Sequence, residues 1–242
     1  MNPSLYSEEE LHRRCAQVRA ELLDSAEGRL NFGQVMSVLS VYGKKPNEYG
    51  DPYSPDASEE EKALALQGRQ RRRWNAVLCG EKIVHLWSFE LVQEYLSHRR
   101  AEQLRFFDPH RHLRQAKHAV RNNEEFPIVD FDPSPDDVSY ALYEIKKTSV
   151  PIYQAVSTYS TIWHILFTVS ADDLNIFDVE LHYPPIWSGE YTGNLSIIRA
   201  SYAYGGMNYP NLVPLNDPHL LREFWLWWLD EAVPASWYLR DL

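Results

Sequence analysis

Residues 224–229 read FWLWWL and place three of the chain's eight tryptophans within six positions. Their spacing is helical, with one apolar stripe through Trp225 and Trp228 and a second through Phe224 and Trp227. A helix that is apolar nearly all round is normally buried on several sides. The sequence therefore predicts a C-terminal helix covered by the rest of the chain or, on one stripe, by another molecule.

The region before this helix has the pattern of a small β-sheet. Residues 161–170, 174–183 and 195–204 alternate between apolar and polar side chains and are rich in β-branched and aromatic residues. A short acidic turn separates the first two segments, which favours a hairpin. We expect a three-stranded antiparallel meander covered by the Trp-rich helix, which begins at Asp217 and ends near Pro234.

The N-terminal half has the pattern of several helices. Capping residues precede the apolar periods at five places, namely Ser7, Asn31, Ser58, Ser88 and Asp108. One further helix is predicted around residues 138–145, and Pro151 should end it. The predicted fold class is α+β, with a helical region over 1–122, an acidic Pro-rich linker over 123–137 and an α+β region over 138–242. These regions form separate units or share one core.

Composition narrows the function classes for this chain of 242 residues. The net charge of −10 argues against a general binder of phosphate backbones, so nucleic acid is not the expected partner. It suits either plain solubility or attraction of a basic partner. No run reaches the ~18 apolar residues of a membrane helix, and no signal peptide is evident. The spacing of Cys15 and Cys79 suits a reduced, cytoplasmic protein.

The predicted hairpin defines one candidate catalytic or metal site. The register that gives one clean apolar face places a polar set on the other face: His164, Asp178, Glu180, His182 and Arg199. Imidazoles and carboxylates on one sheet face can bind a divalent metal or act as an acid–base pair. The alternative is the ordinary water-facing side of an antiparallel sheet.

A short motif gives a second candidate metal site. Asp136 follows a proline, and Glu144 and Lys146 follow as Glu-Ile-Lys, which resembles the PD-(D/E)xK motif of metal-dependent nucleases. The resemblance implies that Asp136 and Glu144 hold Mg²⁺ and that Lys146 positions the attacking water. That chemistry needs a strand, whereas the apolar spacing here favours a helix. Nucleotide-binding loops and nucleophile-elbow or zinc-protease motifs are absent from the sequence, and no cofactor is expected.

The sequence contains two clusters of basic residues that are further candidate binding sites. Residues 67–74, QGRQRRRW, could contact nucleic acid or an acidic partner, but a solvated helix face is the favoured interpretation. His110, His112 and His118 would point in different directions on a helix and so do not predict a metal site. They too favour a solvated face.

Aromatic residues of the C-terminal region are the candidate interface. The residues concerned are Trp187, Tyr191, Tyr204, Tyr209 and Trp227. Trp and Tyr dominate the energetics of protein interfaces, and nearby Gly and Asn supply adaptable hydrogen bonds.

The C-terminal third, from about Thr161, resembles the immunity proteins of bacterial toxin systems. The resemblance lies in the acidic α+β frame, the Tyr- and Trp-rich loops and the closing segment EFWLWWLDEAVPASW. It implies a cytoplasmic protein that binds and blocks a cognate toxin, and it assigns no site residues. We therefore predict a non-enzymatic protein-binding module that inhibits a basic toxin or nuclease. The alternatives are a metal-dependent hydrolase or nuclease and a structural subunit of a larger assembly.

Overall fold

The computed structural model describes residues 6–43, 57–93, 108–126, 150–171, 196–206 and 217–242. Of these residues 81% are helical, and none of them lies in a β-strand. The described part of the chain is all-α, so the predicted α+β class and its three-stranded meander are wrong.

The described helices follow one another with short turns between several of them. They are α1 (Glu8–Asp24), α2 (Phe32–Leu39), α3 (Glu59–Ile83), α4 (Phe89–Gln93), α5 (Pro109–Arg121), α6 (Val150–Ala171), α7 (Ser196–Gly205), α8 (Pro218–Trp227) and α9 (Val233–Trp237). A 3₁₀ turn, Val84–Leu86, follows α3, and a π-helical turn, Trp228–Ala232, joins α8 to α9.

Capping side chains set the helix starts that the sequence predicts. Ser58 and Asn31 form reciprocal caps with Glu61 and Gln34, in which each side chain bonds the other residue's backbone N–H. Three further caps accept a hydrogen bond from the first helical turn: Ser7, Asp108 and Asp217. Such a cap stabilises a helix by about 1 kcal/mol, because it satisfies a backbone donor that the helix leaves unpaired.

Helix α3 lies at the centre of the packing. It contacts α5, α6, α7 and α9, while α6 packs along α7 and α5. The hydrophobic core is continuous from Leu11 in α1 to Trp225 in α8, so the described parts of both halves share it. Most of the linker predicted at 123–137 lies outside the described residues, as does the helix predicted around residues 138–145.

Two of the three predicted strands are helices. Residues 161–170 belong to α6, residues 196–204 belong to α7, and residues 174–183 lie outside the described part of the chain. The buried positions Ile162, Ile165 and Val169 follow the spacing of a helix. Both helices are enclosed on several sides, and such helices lack the polar stripe that distinguishes a helix from a strand in the sequence.

The Trp-rich segment packs on helices where a sheet was predicted. Trp225 and Trp228 are both 0% exposed, and the segment contacts α1, α3 and α7. The predicted end near Pro234 is wrong, since Pro234 lies in the first turn of α9. Pro151 was likewise predicted to end a helix but lies at the start of α6. Proline suits a first turn because its missing N–H has no helical partner there.

Asn75 ties α3 to the π-helical turn and to α9 in the centre of the molecule. Its side-chain nitrogen donates to the hydroxyls of Tyr42 at 3.1 Å and Ser236 at 2.9 Å. Its side-chain oxygen accepts from the indole N–H of Trp228 at 2.8 Å. The Tyr42 hydroxyl donates in turn to the carbonyl of Val233 at 3.2 Å. Each of these buried polar groups therefore has a hydrogen-bond partner, which burial requires.

The basic run of α3 is inside the protein. Arg71, Arg72 and Arg73 are 7%, 4% and 3% exposed, so the predicted solvated face is wrong. The Arg71 guanidinium carbon lies 3.4 Å from the ring centre of Trp237. The same side chain donates to the backbone carbonyls of Trp237 at 3.1 Å and Tyr42 at 3.0 Å. Arg71 thus satisfies one backbone carbonyl at the end of α9 and another in the turn that follows α2.

Residues near the end of the sequence contact the N-terminal helices directly. The indole N–H of Trp74 donates to the carbonyl of Arg240 at 2.7 Å. Arg19 on α1 forms an ion pair with Asp230 in the π-helical turn, with 3.1 Å between nitrogen and oxygen. The last segment therefore covers α3 and reaches α1.

Candidate functional site

The structure brings together two residues predicted for the interface, Tyr204 and Trp227. Tyr204 lies near the end of α7 and Trp227 at the end of α8, and both are half-buried. The fully buried Phe224 lies between them, with ring centres 5.8 Å from Tyr204 and 5.5 Å from Trp227. The two rings therefore belong to one aromatic group that is buried at its base and open at its outer side.

Lys82 and Glu223 complete this group, which we call the Tyr204–Trp227 cluster. The Lys82 ammonium lies 5.4 Å from the ring centre of Tyr204 and 5.0 Å from that of Trp227, within the range of a cation–π interaction. The Tyr204 hydroxyl donates to a carboxylate oxygen of Glu223 at 2.5 Å. Burial and the adjacent Glu223 carboxylate raise the pKa of Tyr204 to about 12, so its hydroxyl remains a donor at neutral pH.

Local sequence positions the cluster. Glu223 and Trp227 are four residues apart on α8 and so lie on one face of that helix. A Cβ at Gly205 would meet a methyl carbon of Leu221 at 2.6 Å, so glycine lets the end of α7 approach α8 closely. Lys82 comes from the last turn of α3. Three helix ends thus meet at the cluster.

The chemistry of this cluster suits binding more than bond breaking. The faces of the Tyr and Trp rings and the Glu223 carboxylate are negative, so together they attract cations. Sequence reasoning selected Tyr204 and Trp227 but missed Lys82 and Glu223. The four-residue spacing from Trp227 could have indicated Glu223. Nothing local in the sequence indicates Lys82, because α3 lies more than 100 residues earlier.

His164 and Arg199, predicted as part of a catalytic set, lie on the neighbouring helices α6 and α7. Burial, with a smaller effect from the Arg199 charge, holds the pKa of His164 well below 6.5. Because residues 161–170 are helical, the strand register that set His164 opposite Glu180 is wrong. Asp178, Glu180 and His182 themselves lie outside the described residues.

The remaining candidates also fall outside the described ranges. They are Trp187, Tyr191 and Tyr209 for the interface, and Asp136, Glu144 and Lys146 for the nuclease motif. Within the described ranges, no group of three or more His, Cys, Asp or Glu side chains is placed to hold a metal ion. Of the three histidines on α5, His118 is exposed and His112 is half-buried.

The two cysteines are both free thiols. Burial, and to a lesser extent the charge of Asp230, raises the pKa of Cys15 to about 12. Burial also raises the pKa of Cys79. Both thiols are therefore protonated at neutral pH and are weak nucleophiles.

Among the described helices, none is both long and apolar enough to cross a bilayer. Comparison of the chain with protein-family models and with curated proteins gives no match.

Proposed function

We propose that this protein is a non-enzymatic protein-binding module that acts in the cytoplasm as an immunity-type inhibitor of a basic toxin or nuclease. The observation that carries the proposal is the half-buried pairing of Tyr204 and Trp227 at the meeting point of three helix ends. Rigid aromatic side chains of this kind supply much of the energy of protein interfaces at a small entropic cost.

Charge supports a basic partner. The chain carries a net charge of −10, and the exposed carboxylate of Glu223 lies within the cluster itself. Opposite charge speeds encounter with a basic protein and steers it to the correct face. The free state of Cys15 and Cys79 suits a reducing compartment, and the raised pKa values of the two thiols argue against a cysteine nucleophile.

The test is a capture experiment with paired variants. Tagged wild-type protein, Trp227→Ala and Tyr238→Ala are each incubated with lysate of the source organism at moderate salt, and bound proteins are identified by mass spectrometry. Tyr238 is an exposed aromatic residue outside the cluster and serves as the control. We expect wild-type protein and Tyr238→Ala to capture the same stoichiometric basic partner. Trp227→Ala should bind this partner more weakly, by about 1–4 kcal/mol.

Three outcomes would contradict the proposal. Equal capture by all three proteins would move the interface away from the cluster. Loss of the folded state in Trp227→Ala, seen by circular dichroism, would make Trp227 a core residue. Self-association of the wild-type protein without a second component, measured by sedimentation, would instead favour a structural subunit.

A further inference from the structure

The Lys82 ammonium lies against the aromatic rings of the Tyr204–Trp227 cluster. It lies 5.0 Å and 5.4 Å from the two ring centres. In the described part of the chain, no acidic side chain lies within ion-pair distance of Lys82. Among those residues, the two rings are therefore the recorded partners of the ammonium group. Each such contact contributes modestly where water has access.

Glu223 shows the complementary situation. Its carboxylate accepts the Tyr204 hydroxyl through one oxygen and is exposed to solvent. Among the described residues, no Lys, Arg or His forms an ion pair with it. The two rings therefore contact a cation, and the Tyr204 hydroxyl contacts a carboxylate, but this cation and this carboxylate do not form an ion pair with each other.

We propose that the Tyr204–Trp227 cluster is a binding site for an arginine side chain of the basic partner, and that Lys82 is an internal substitute which this arginine displaces. The inference rests on the proposed function and names the group that the cluster recognises. A guanidinium can stack on the Trp227 ring and donate to Glu223 at the same time, because it is planar and carries several donors. An ammonium is a compact point charge without a plane that can stack on a ring, so it is less suited to making both contacts at once.

Displacement is sterically simple for Lys82. The residue is half-buried in the last turn of α3, and a lysine stem has four rotatable carbons that can carry the charge into water. When no partner is bound, Lys82 provides the cation that contacts the two rings. Because Lys82 competes for the rings, a cation that cannot also reach Glu223 binds more weakly. This competition favours a partner arginine that contacts both the Trp227 ring and Glu223.

The experiment uses a hexa-arginine peptide and a hexa-lysine peptide as probes, with binding measured by calorimetry at fixed salt. We expect hexa-arginine to bind wild-type protein more tightly than hexa-lysine does. Lys82→Met should bind hexa-arginine about two- to fivefold more tightly than wild type, because the competing cation–π contact is removed. Glu223→Gln should weaken hexa-arginine binding about tenfold and remove the preference over hexa-lysine.

Matched variants separate the site from general charge. Lys62→Met makes the same charge change as Lys82→Met but lies 20 residues earlier on α3, about 30 Å away along the helix. Glu60→Gln matches Glu223→Gln at an exposed position in the first turn of α3. Equal effects within each pair, or weaker binding by Lys82→Met, would overturn the arginine site.

The peptide experiment tests the arginine site and the capture experiment tests the proposed function, so either proposal can be overturned without the other. A partner that is captured through Trp227 while the peptide is insensitive to Lys82 and Glu223 would overturn the arginine site and leave the proposed function standing. The expected peptide response without any captured protein would support the arginine site and remove the inhibitor function.

Discussion

The guanidinium of Arg71 lies over the Trp237 ring, with 3.4 Å between the guanidinium carbon and the ring centre. The contact joins the middle of α3 to the end of α9, and two backbone carbonyls accept from the same side chain. An arginine here stabilises the fold through geometry as well as charge, since its donors reach both carbonyls while its guanidinium carbon remains over the indole ring.

We expect Arg71→Lys to lower the free energy of unfolding by about 1–3 kcal/mol, because a lysine cannot keep the stacking and both hydrogen bonds. Urea denaturation followed by circular dichroism measures the change. Arg111→Lys, an exposed position on α5, is the control and should stay within about 0.5 kcal/mol of wild type. Equal stability of all three proteins would show that the Arg71 contacts contribute nothing.

Asn75→Leu should destabilise the protein by about 2–4 kcal/mol, because the buried indole N–H of Trp228 loses its acceptor and the hydroxyls lose a donor. The measurement is again urea denaturation, with Gln115→Leu at an exposed position of α5 as the matched polar-to-leucine control. A neutral Asn75→Leu would mean that apolar packing replaces the network without cost.

Alanine substitutions of Trp227, the last residue of α8, and of Trp228, the first residue of the π-helical turn, should destabilise the protein to different extents. Trp228→Ala removes a fully buried side chain and should cost about 3–5 kcal/mol, whereas Trp227→Ala removes a half-buried one and should cost clearly less. Thermal and urea unfolding of both variants give the comparison. A larger loss for Trp227→Ala would contradict its assignment to a binding surface.

His164 should make stability depend on pH. Its pKa in the folded protein is held well below 6.5, so below pH 6.5 the unfolded chain binds a proton that the folded protein does not. Stability should therefore fall as the pH is lowered from 7.5 to 5.5, by at most about 1.4 kcal/mol per pH unit below pH 6.5. Unfolding measured across this range should show a shallower fall in His164→Gln. The exposed control His85→Gln should keep the wild-type slope, and identical slopes in both variants would rule His164 out.

Helix starts could be predicted from the sequence because capping is local chemistry. The side chains of Ser58 and Asn31 satisfy backbone donors only three residues away, so a short pattern contains the whole interaction. The predicted strands were wrong for the opposite reason. The β-branched and aromatic residues around Ile162 and Ile198 suit any enclosed position, and only the helices packed around them decide that this segment is helical.

The candidate site was predictable in part for similar reasons. Tyr204 and Trp227 could be selected from residue type, since Tyr and Trp are enriched at the energetic centres of interfaces. The burial of Arg71 and the placement of Lys82 beside the two rings depend on contacts between helices that are far apart in the sequence. A basic run normally indicates a face exposed to solvent, whereas the two backbone carbonyls and the Trp237 ring around Arg71 make its burial favourable.

The contacts made by the last segment also bear on how the protein folds during synthesis. Arg19 and Asp230 are 211 positions apart, and Trp74 and Arg240 are 166 apart. The central helix therefore emerges from the ribosome long before the residues that cover it, at rates of roughly 5–20 residues per second. Until then Trp74 lacks the Arg240 carbonyl that accepts from its indole N–H, and such non-local contacts slow folding. We expect folding during synthesis to be completed later here than in a bundle built from neighbouring hairpins, whose contacts can form as each hairpin emerges.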